Sequence, residues 1–387
     1  MGLRERLSPI SSFQIWPLLN RKAFPQEGLG VMNRSLFRTI LLTLLDNLIW
    51  VFVLIALVAF SLLSDKFAEP ENLVRIIPRV AAVGMLVMGQ SFTMLTGHFD
   101  LSSESNLGLT AMIGGLLLAS EDFGGIGTMY PPGIVILIML LVGAGIGLFN
   151  GFMVTRLKMN NLVVTIAMLI MLRGVVYIIS PGSSASIFPE SFNWLGDGTL
   201  FTFTAQGRAI EFPVSIAFVV LCFGLAHVIT HYTQFGRNVY AVGSNREAAE
   251  AAGIRSDNVV LYVYIISGLC AALGGLLIAG RMDSVTPRTG AGWIFQVQAA
   301  AIIGGISLKG GRGSMVGALG GVLLWGILDS GLNIMRADPF TIEVFRGGLL
   351  LFAMLLDAIK ERYLRRVAVR ESLAKTSIGL RDTTSYA

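Results

Sequence analysis

Gly133-Ile134-Val135-Ile136-Leu137-Ile138-Met139-Leu140-Leu141-Val142-Gly143-Ala144-Gly145-Ile146-Gly147-Leu148-Phe149-Asn150-Gly151-Phe152-Met153-Val154 runs without one charged side chain. A helix of that length spans roughly 33 Å, enough to cross a hydrocarbon core about 30 Å thick. Working outward, similar apolar runs lie near 40–63, 73–95, 106–119, 161–180, 212–230, 259–280, 293–308, 315–333 and 341–357. The third, eighth and tenth of the set are short for a full crossing. The fold expected is all-α: a polytopic integral membrane protein of about ten transmembrane helices, in two pseudo-repeated halves, with broken or short helices.

Composition agrees. Of 387 residues, 54% are hydrophobic and only 14% charged, with a mean hydropathy of +0.71. Soluble domains carry about 25% charged residues, so this chain cannot coat itself for water. The 45 glycines suit close helix packing in lipid. A net charge of +5 is compatible with nucleic acid, but the basic residues sit in short loops and tails between apolar runs. Nucleic acid is therefore excluded as a partner. Two cysteines, Cys222 and Cys270, exclude a disulfide framework or a CxxC metal site. The three histidines form no HExxH, and neither a GxSxG elbow nor a dinucleotide fingerprint is present. No Gly-Lys dipeptide occurs, so the chain has no phosphate-cradling loop of its own. The first apolar run begins too far in for a secretory signal.

Lys and Arg favour one side of the predicted bundle by about four to one, which places both termini in the cytoplasm. Residues 1–39 then form a basic cytoplasmic arm, 40–357 the transmembrane domain and 358–387 a basic cytoplasmic tail. The outer segment 181–211, broken by Pro181 and Pro189, either docks a soluble partner or simply connects two spans. Arg75, Arg79, Arg173 and Arg346 fall within predicted spans, where snorkelling or pairing would accommodate them. Glu343 and Arg346 have the i,i+3 spacing of such a pair.

Two glycine-rich hinges resemble each other: Leu95 to Ser105, continuing through Gly108 and Ala111, and Gly304 to Ser314, continuing through Gly317 and Gly320. Interrupted apolar segments in corresponding positions of two halves point to a transport path. Backbone freed at membrane depth is tolerated only where it lines a cavity or is buried in protein. His98, Asp100, Ser102, Glu104, Ser105 and Ser314 are accordingly candidates for the path; an N-cap role for Asp100 is the alternative. A charged Glu104 at depth costs about 2.5–3.5 kcal/mol unless it pairs or meets water. Gly143, Gly147 and Gly151, and likewise Gly313, Gly317 and Gly321, are spaced by four and predict smooth helix faces for tight crossings.

Residues 233–256 form the most informative cytoplasmic loop. Ser244 with Glu247 has capping-box spacing, alanines follow, and Gly253 suits a left-handed stop. A helix of about two turns is expected, too short to persist without support. It either inserts its small residues into a partner's groove or is an ordinary solvated loop helix.

This loop, with Gly236-Arg237-Asn238 and Gly243-Ser244-Asn245 followed by Glu247-Ala248-Ala249, resembles the cytoplasmic loop of bacterial ABC permeases of the ribose/xylose/galactose type. That superfamily also holds branched-chain amino acid and nucleoside permeases. Leu95 to Ser105, Asn150-Gly151, Arg173-Gly174 and Gly304 to Ser314 are similar to the same pattern. The resemblance covers the chain from the second span to the tenth. It implies a permease in the bacterial inner membrane that pairs with a second or homologous permease. ATP and Mg would sit on separate ABC ATPase subunits, with no cofactor on this chain, and an external solute-binding protein would deliver a sugar-like small molecule. Gly236, Arg237, Gly243, Ser244, Asn245, Glu247, Ala248, Ala249 and Gly253 would form the ATPase-coupling loop. Departures from the pattern lie near the suspected path: His98 and Phe99 replace Gly and Ile, Glu104 replaces Gly, and Asn160-Asn161 replace Pro-Pro. Competing functions are an ion-coupled secondary transporter, which needs more ionisable residues at mid-depth, an intramembrane enzyme, which needs paired catalytic groups, and the same permease class carrying an amino acid or nucleoside.

Overall fold

The structure, a computed structural model, describes residues 48–355 apart from 181, 206, 339, 349, 350 and 353. The predicted arm 1–39, the start of the first span and the tail 358–387 lie outside the described residues. In chain order come α1 (Leu48–Leu63), α2 (Pro70–Leu95), α3 (Ser103–Leu118), α4 (Pro132–Thr155) and α5 (Asn161–Ile179). After β1 (Ala185–Ser186) follow α6 (Glu190–Asp197), β2 (Thr199–Ala205), β3 (Arg208–Pro213) and α7 (Val214–Tyr232). Next are α8 (Gln234–Ser244), α9 (Arg246–Ala251), α10 (Ser256–Met282), β4 (Ser284–Val285), α11 (Trp293–Ile303) and α12 (Met315–Ile334).

Among the described residues, six helices are long and apolar enough to cross a membrane: α2, α4, α5, α7, α10 and α12. The predicted third and eighth spans are short as expected, with 16 residues in α3 and 11 in α11. The eighth ends at Ile303 rather than 308, because the chain turns into the glycine run at Gly304. Of the tenth, residues 340–348 are helical. Helices α2 and α10 are largely buried, and α10 packs on α2, α3, α4 and α6. By contrast, α4 and α5 turn bare apolar side chains outward, among them Leu137, Leu141, Ile166, Ile170 and Ile178. A protein in water would not leave such faces uncovered; in lipid they are at rest.

The first glycine stripe packs as its spacing implies. A Cβ on Gly143 would sit 2.6 Å from the Gly268 carbonyl, and one on Gly147 would overlap the Tyr264 carbonyl. Gly151 meets Tyr264 and Leu261, so α4 and α10 cross nearly backbone to backbone. The second stripe holds only in part. Gly317 and Gly321 press on the carbonyls of Gly304 and Ala300, but Gly313 precedes α12 and belongs to the turn before it.

The segment 181–211 is more ordered than its composition suggests. It contains α6, and β2 and β3 form an antiparallel hairpin in which Phe201 stacks on Phe212 with centroids 4.8 Å apart. A two-residue ladder joins β1 to β4, tying this segment to the chain beyond α10.

Candidate functional site at the two helix breaks

Both predicted breaks exist. Residues 96–102 separate α2 from α3, and 304–314 separate α11 from α12. Their capping differs from the expected correspondence of Ser105 with Ser314. Ser314 is the N-cap of α12 and accepts from the Gly317 amide at 3.0 Å. Ser105 already lies inside α3, buried, with no hydrogen-bond partner for its hydroxyl. The N-cap of α3 is Ser102, not Asp100.

Asp100 instead collects donors. Its Oδ1 accepts from the Ser102 amide at 3.1 Å and hydroxyl at 2.6 Å, and its Oδ2 from the Ser267 hydroxyl of α10 at 2.8 Å. Asn150 of α4 donates to Ser102 Oγ at 2.8 Å. A carboxylate only 1% exposed is thus held by three donors, and the break is fastened to α4 and α10. The preceding carbonyl, Phe99, accepts from the Tyr264 hydroxyl at 3.0 Å and from Asn161 Nδ2 at 3.4 Å. Asn160 caps α5 by accepting from the Leu162 amide at 2.9 Å. Replacing Pro-Pro by Asn160-Asn161 therefore adds a cap and a tether to the break. His98 and Tyr264 form a T-shaped ring pair with centroids 6.3 Å apart.

Glu104 points elsewhere. Its Oε2 accepts from the Ile294 amide in the first turn of α11 at 2.8 Å, where helix-end amides favour an anion. Its Oε1 lies 3.9 Å from Arg173, a charge contact too long for a hydrogen bond. Arg173 in turn donates to the carbonyls of Pro287 and Thr289 at 3.1 and 2.9 Å. Pairing thus resolves the cost foreseen for this charge. The other intramembrane arginines are also engaged. Arg346 bonds Glu343 at 2.5 Å, as its spacing suggests, and Asp329 at 2.9 Å. Arg79 donates to Asn72 at 2.9 Å and Ser330 at 2.7 Å, and Arg75 lies 3.4 Å from Glu71.

The loop 233–256 is two helices rather than one. Thr233 caps α8, so Gln234 to Ser244, where the sequence predicts no helix, is helical. The expected capping box at Ser244 does not form, because Ser244 ends α8. Asn245 caps α9 instead, accepting from the Ala248 amide at 3.0 Å. The stop is as expected: Gly253 has φ 86°, its amide bonds the Glu250 carbonyl at 2.9 Å, and the Ile254 amide reaches Ala249 at 3.0 Å. Arg237, Glu247, Ala248 and Gly253 are exposed, while Ala249 is buried against the bundle. Arg246 braces α9, bonding Glu250 at 3.0 Å and also Asp257 at the start of α10, which Lys158 meets at 2.6 Å.

At its other end this loop touches both breaks. The Gly311 amide donates to the Leu95 carbonyl at 2.8 Å, and Gly243 lies against that same carbonyl. Tyr240 donates its hydroxyl to the Gly313 carbonyl at 2.8 Å, and burial raises its pKa. Ser267, Tyr264 and Tyr240 were missed by sequence reasoning. Their polar atoms are single hydroxyls, one in the loop 233–256 and two in the predicted span 259–280, and only the fold aims them at a partner. Asn150 and Arg173 were visible as motif residues without an assigned contact.

A bundle of lipid-length helices, polar inside at two broken segments and carrying a braced loop helix at one end, defines a polytopic membrane permease. Residues 72–354 match the family described as branched-chain amino acid transport system / permease component, and the chain belongs to that family. It is 34% identical over 312 residues to the ribose import permease protein RbsC of Bacillus subtilis, covering 80% of this chain and 91% of that one. It is 32% identical over 316 residues to the L-arabinose transport system permease protein AraH of Escherichia coli (80% and 89% covered). It is 30% identical over 323 residues to the L-arabinose ABC transporter permease protein AraH of Azospirillum brasilense (82% and 89% covered). No solved structure matches the chain.

Proposed function

We propose that this chain is the permease subunit of an ABC importer that carries a monosaccharide or sugar-like solute across a bacterial inner membrane, with both termini in the cytoplasm. Two permease copies, or this chain and a homologous permease, enclose the pathway. Separate ATPase subunits, holding ATP and Mg, bind the loop 233–256, and an external binding protein delivers the solute to the opposite face. The chain itself binds no cofactor.

One observation carries the energy-coupling part: α9 presents Glu247, Ala248 and Gly253 outward while Ala249 and Arg246 anchor it to the bundle. A small, braced, protruding helix of this kind fits a groove in a partner and passes a push to what it rests on. The choice of a sugar is supported by the relatives, which are named for ribose and arabinose. His98, Asp100 and Ser102 in the first break, Glu104 and Ser105 in the first turn of α3, and Ser314 capping α12 are the proposed neighbours of the path; Glu104 also secures α11.

The test is to coexpress this chain with candidate ABC ATPase and solute-binding proteins of the same genome, purify the complex and assay it in proteoliposomes. ATP-dependent accumulation of radiolabelled ribose or arabinose is expected. Failure of the ATPase to copurify, or sugar accumulation driven by an ion gradient without ATP, would contradict the assignment.

A further inference from the structure

The loop 233–256 does not rest on the bundle at a random place. The last turn of α8 lies where the two helix breaks meet. A Cβ on Gly243 would overlap the Leu95 carbonyl and lie 2.6 Å from the Gly311 amide nitrogen. Gly311 is itself bonded to Leu95. A Cβ on Gly310 would lie 2.7 Å from the Gly97 nitrogen and 3.0 Å from the Gly243 carbonyl. Gly310 and Gly311 have φ of 85° and 68°, so the approach depends on residues that adopt the left-handed region without strain. Three chain segments distant in sequence thus touch backbone to backbone, with the Tyr240–Gly313 bond alongside. Side-chain contacts yield by changing rotamer, whereas backbone contacts at this range do not. Motion of α8 therefore has to displace both breaks together.

We propose that Gly243 and Tyr240 are positioning residues that couple movement of the ATPase-bound loop to both helix breaks at once, Gly243 by steric contact and Tyr240 by its bond to Gly313. This rests on the coupling-loop reading of 233–256, and the experiment separates the two. The ATPase contact lies on the exposed residues of α9, whereas Gly243 and the Tyr240 hydroxyl face the bundle.

The test uses the complete importer in proteoliposomes and measures three quantities: ATPase bound per permease, ATP hydrolysis and ATP-driven sugar uptake. Gly243→Ala wedges the junction apart, and uptake is expected to fall roughly tenfold or more, in keeping with the cost of displacing a working element by about 1 Å. Bound ATPase and hydrolysis are expected to stay close to those of the parent, so that the loss falls on uptake alone. Tyr240→Phe adds no volume and removes one hydrogen bond, so it decides the matter if Gly243→Ala does not fold; a severalfold loss of uptake with hydrolysis retained is expected. Unchanged uptake in either folded variant would overturn the proposal. So would parallel loss of bound ATPase, which would make these residues part of the partner contact. Gly253→Val on the outer end of the loop reads the coupling-loop assignment separately: if that variant retains its ATPase in full, the assignment fails whatever the junction variants do.

Discussion

The Ser267 hydroxyl of α10 donates to Asp100 Oδ2 at 2.8 Å, joining the break before α3 to a helix more than 160 positions away in sequence. Both side chains are only 1% exposed. Hydrogen bonds to a charged group contribute about 1.5–3 kcal/mol each. Ser267→Ala should lower the stability of the purified protein by an amount in that range. Asp100→Ala, which leaves Ser102 and Ser267 without their acceptor, should cost more. Thermal unfolding in detergent checks both, and a Ser267→Ala protein as stable as the parent would show that the bond carries nothing.

Glu104 and Arg173 form a second long-range contact. Removing one member of a buried pair leaves the other charge uncompensated, at a typical cost of 3–5 kcal/mol. The 3.9 Å separation and the two carbonyls that also hold Arg173 place the expected cost of Glu104→Gln at or below the lower end. Arg173→Met combined with Glu104→Gln should be less destabilised than the two single changes summed. Thermal unfolding of the four proteins in one detergent gives the coupling, and strict additivity would remove the pair from the account.

Close packing of α4 on α10 makes its own forecast. Gly147→Ala drives a Cβ into the Tyr264 carbonyl, whereas the position of a Cβ on Gly145 is open, with nothing within 4 Å. Overpacking costs about 1–3 kcal/mol, while Gly to Ala at an open helix position gains up to about 1 kcal/mol. The two variants, on opposite faces of the same helix, should therefore move melting temperature in opposite directions. A shift of the same sign for both would mean the helices do not cross as described.

Gly253 ends α9 at φ 86° with open space around it, so conformation rather than crowding limits substitution there. A left-handed conformation costs most residues about 1–2 kcal/mol, Asn less than others. Gly253→Val should weaken copurification of the ATPase, and Gly253→Asn should largely preserve it. Equal retention in both would detach the loop helix from partner binding.

Much of this architecture was legible because lipid imposes simple rules. Apolar length marked the spans, and glycines at every fourth position marked the α4–α10 crossing at Gly143, Gly147 and Gly151. Gly253 was recognisable because a left-handed stop has few chemical solutions. Capping was less legible, since Ser244 and Asn245 are both good cap residues and the choice depends on where α8 ends. That end is set by contact of Gly243 with Leu95 and Gly311, which no local pattern records. Asp100 and Glu104 stand four positions apart in sequence, both candidates for the path. The fold sends them to different partners, Ser267 of α10 and the first turn of α11.

On the proposed function, this chain supplies a route through lipid and draws its energy from another subunit through the loop 233–256. The most direct measurement is solute accumulation in proteoliposomes, with and without the ATPase, at matched ion gradients. With the ATPase, binding protein and ATP, ribose or arabinose should be concentrated inside the receiving compartment; with the permease alone, the internal concentration should never exceed the external one. Accumulation by the permease alone would contradict the account.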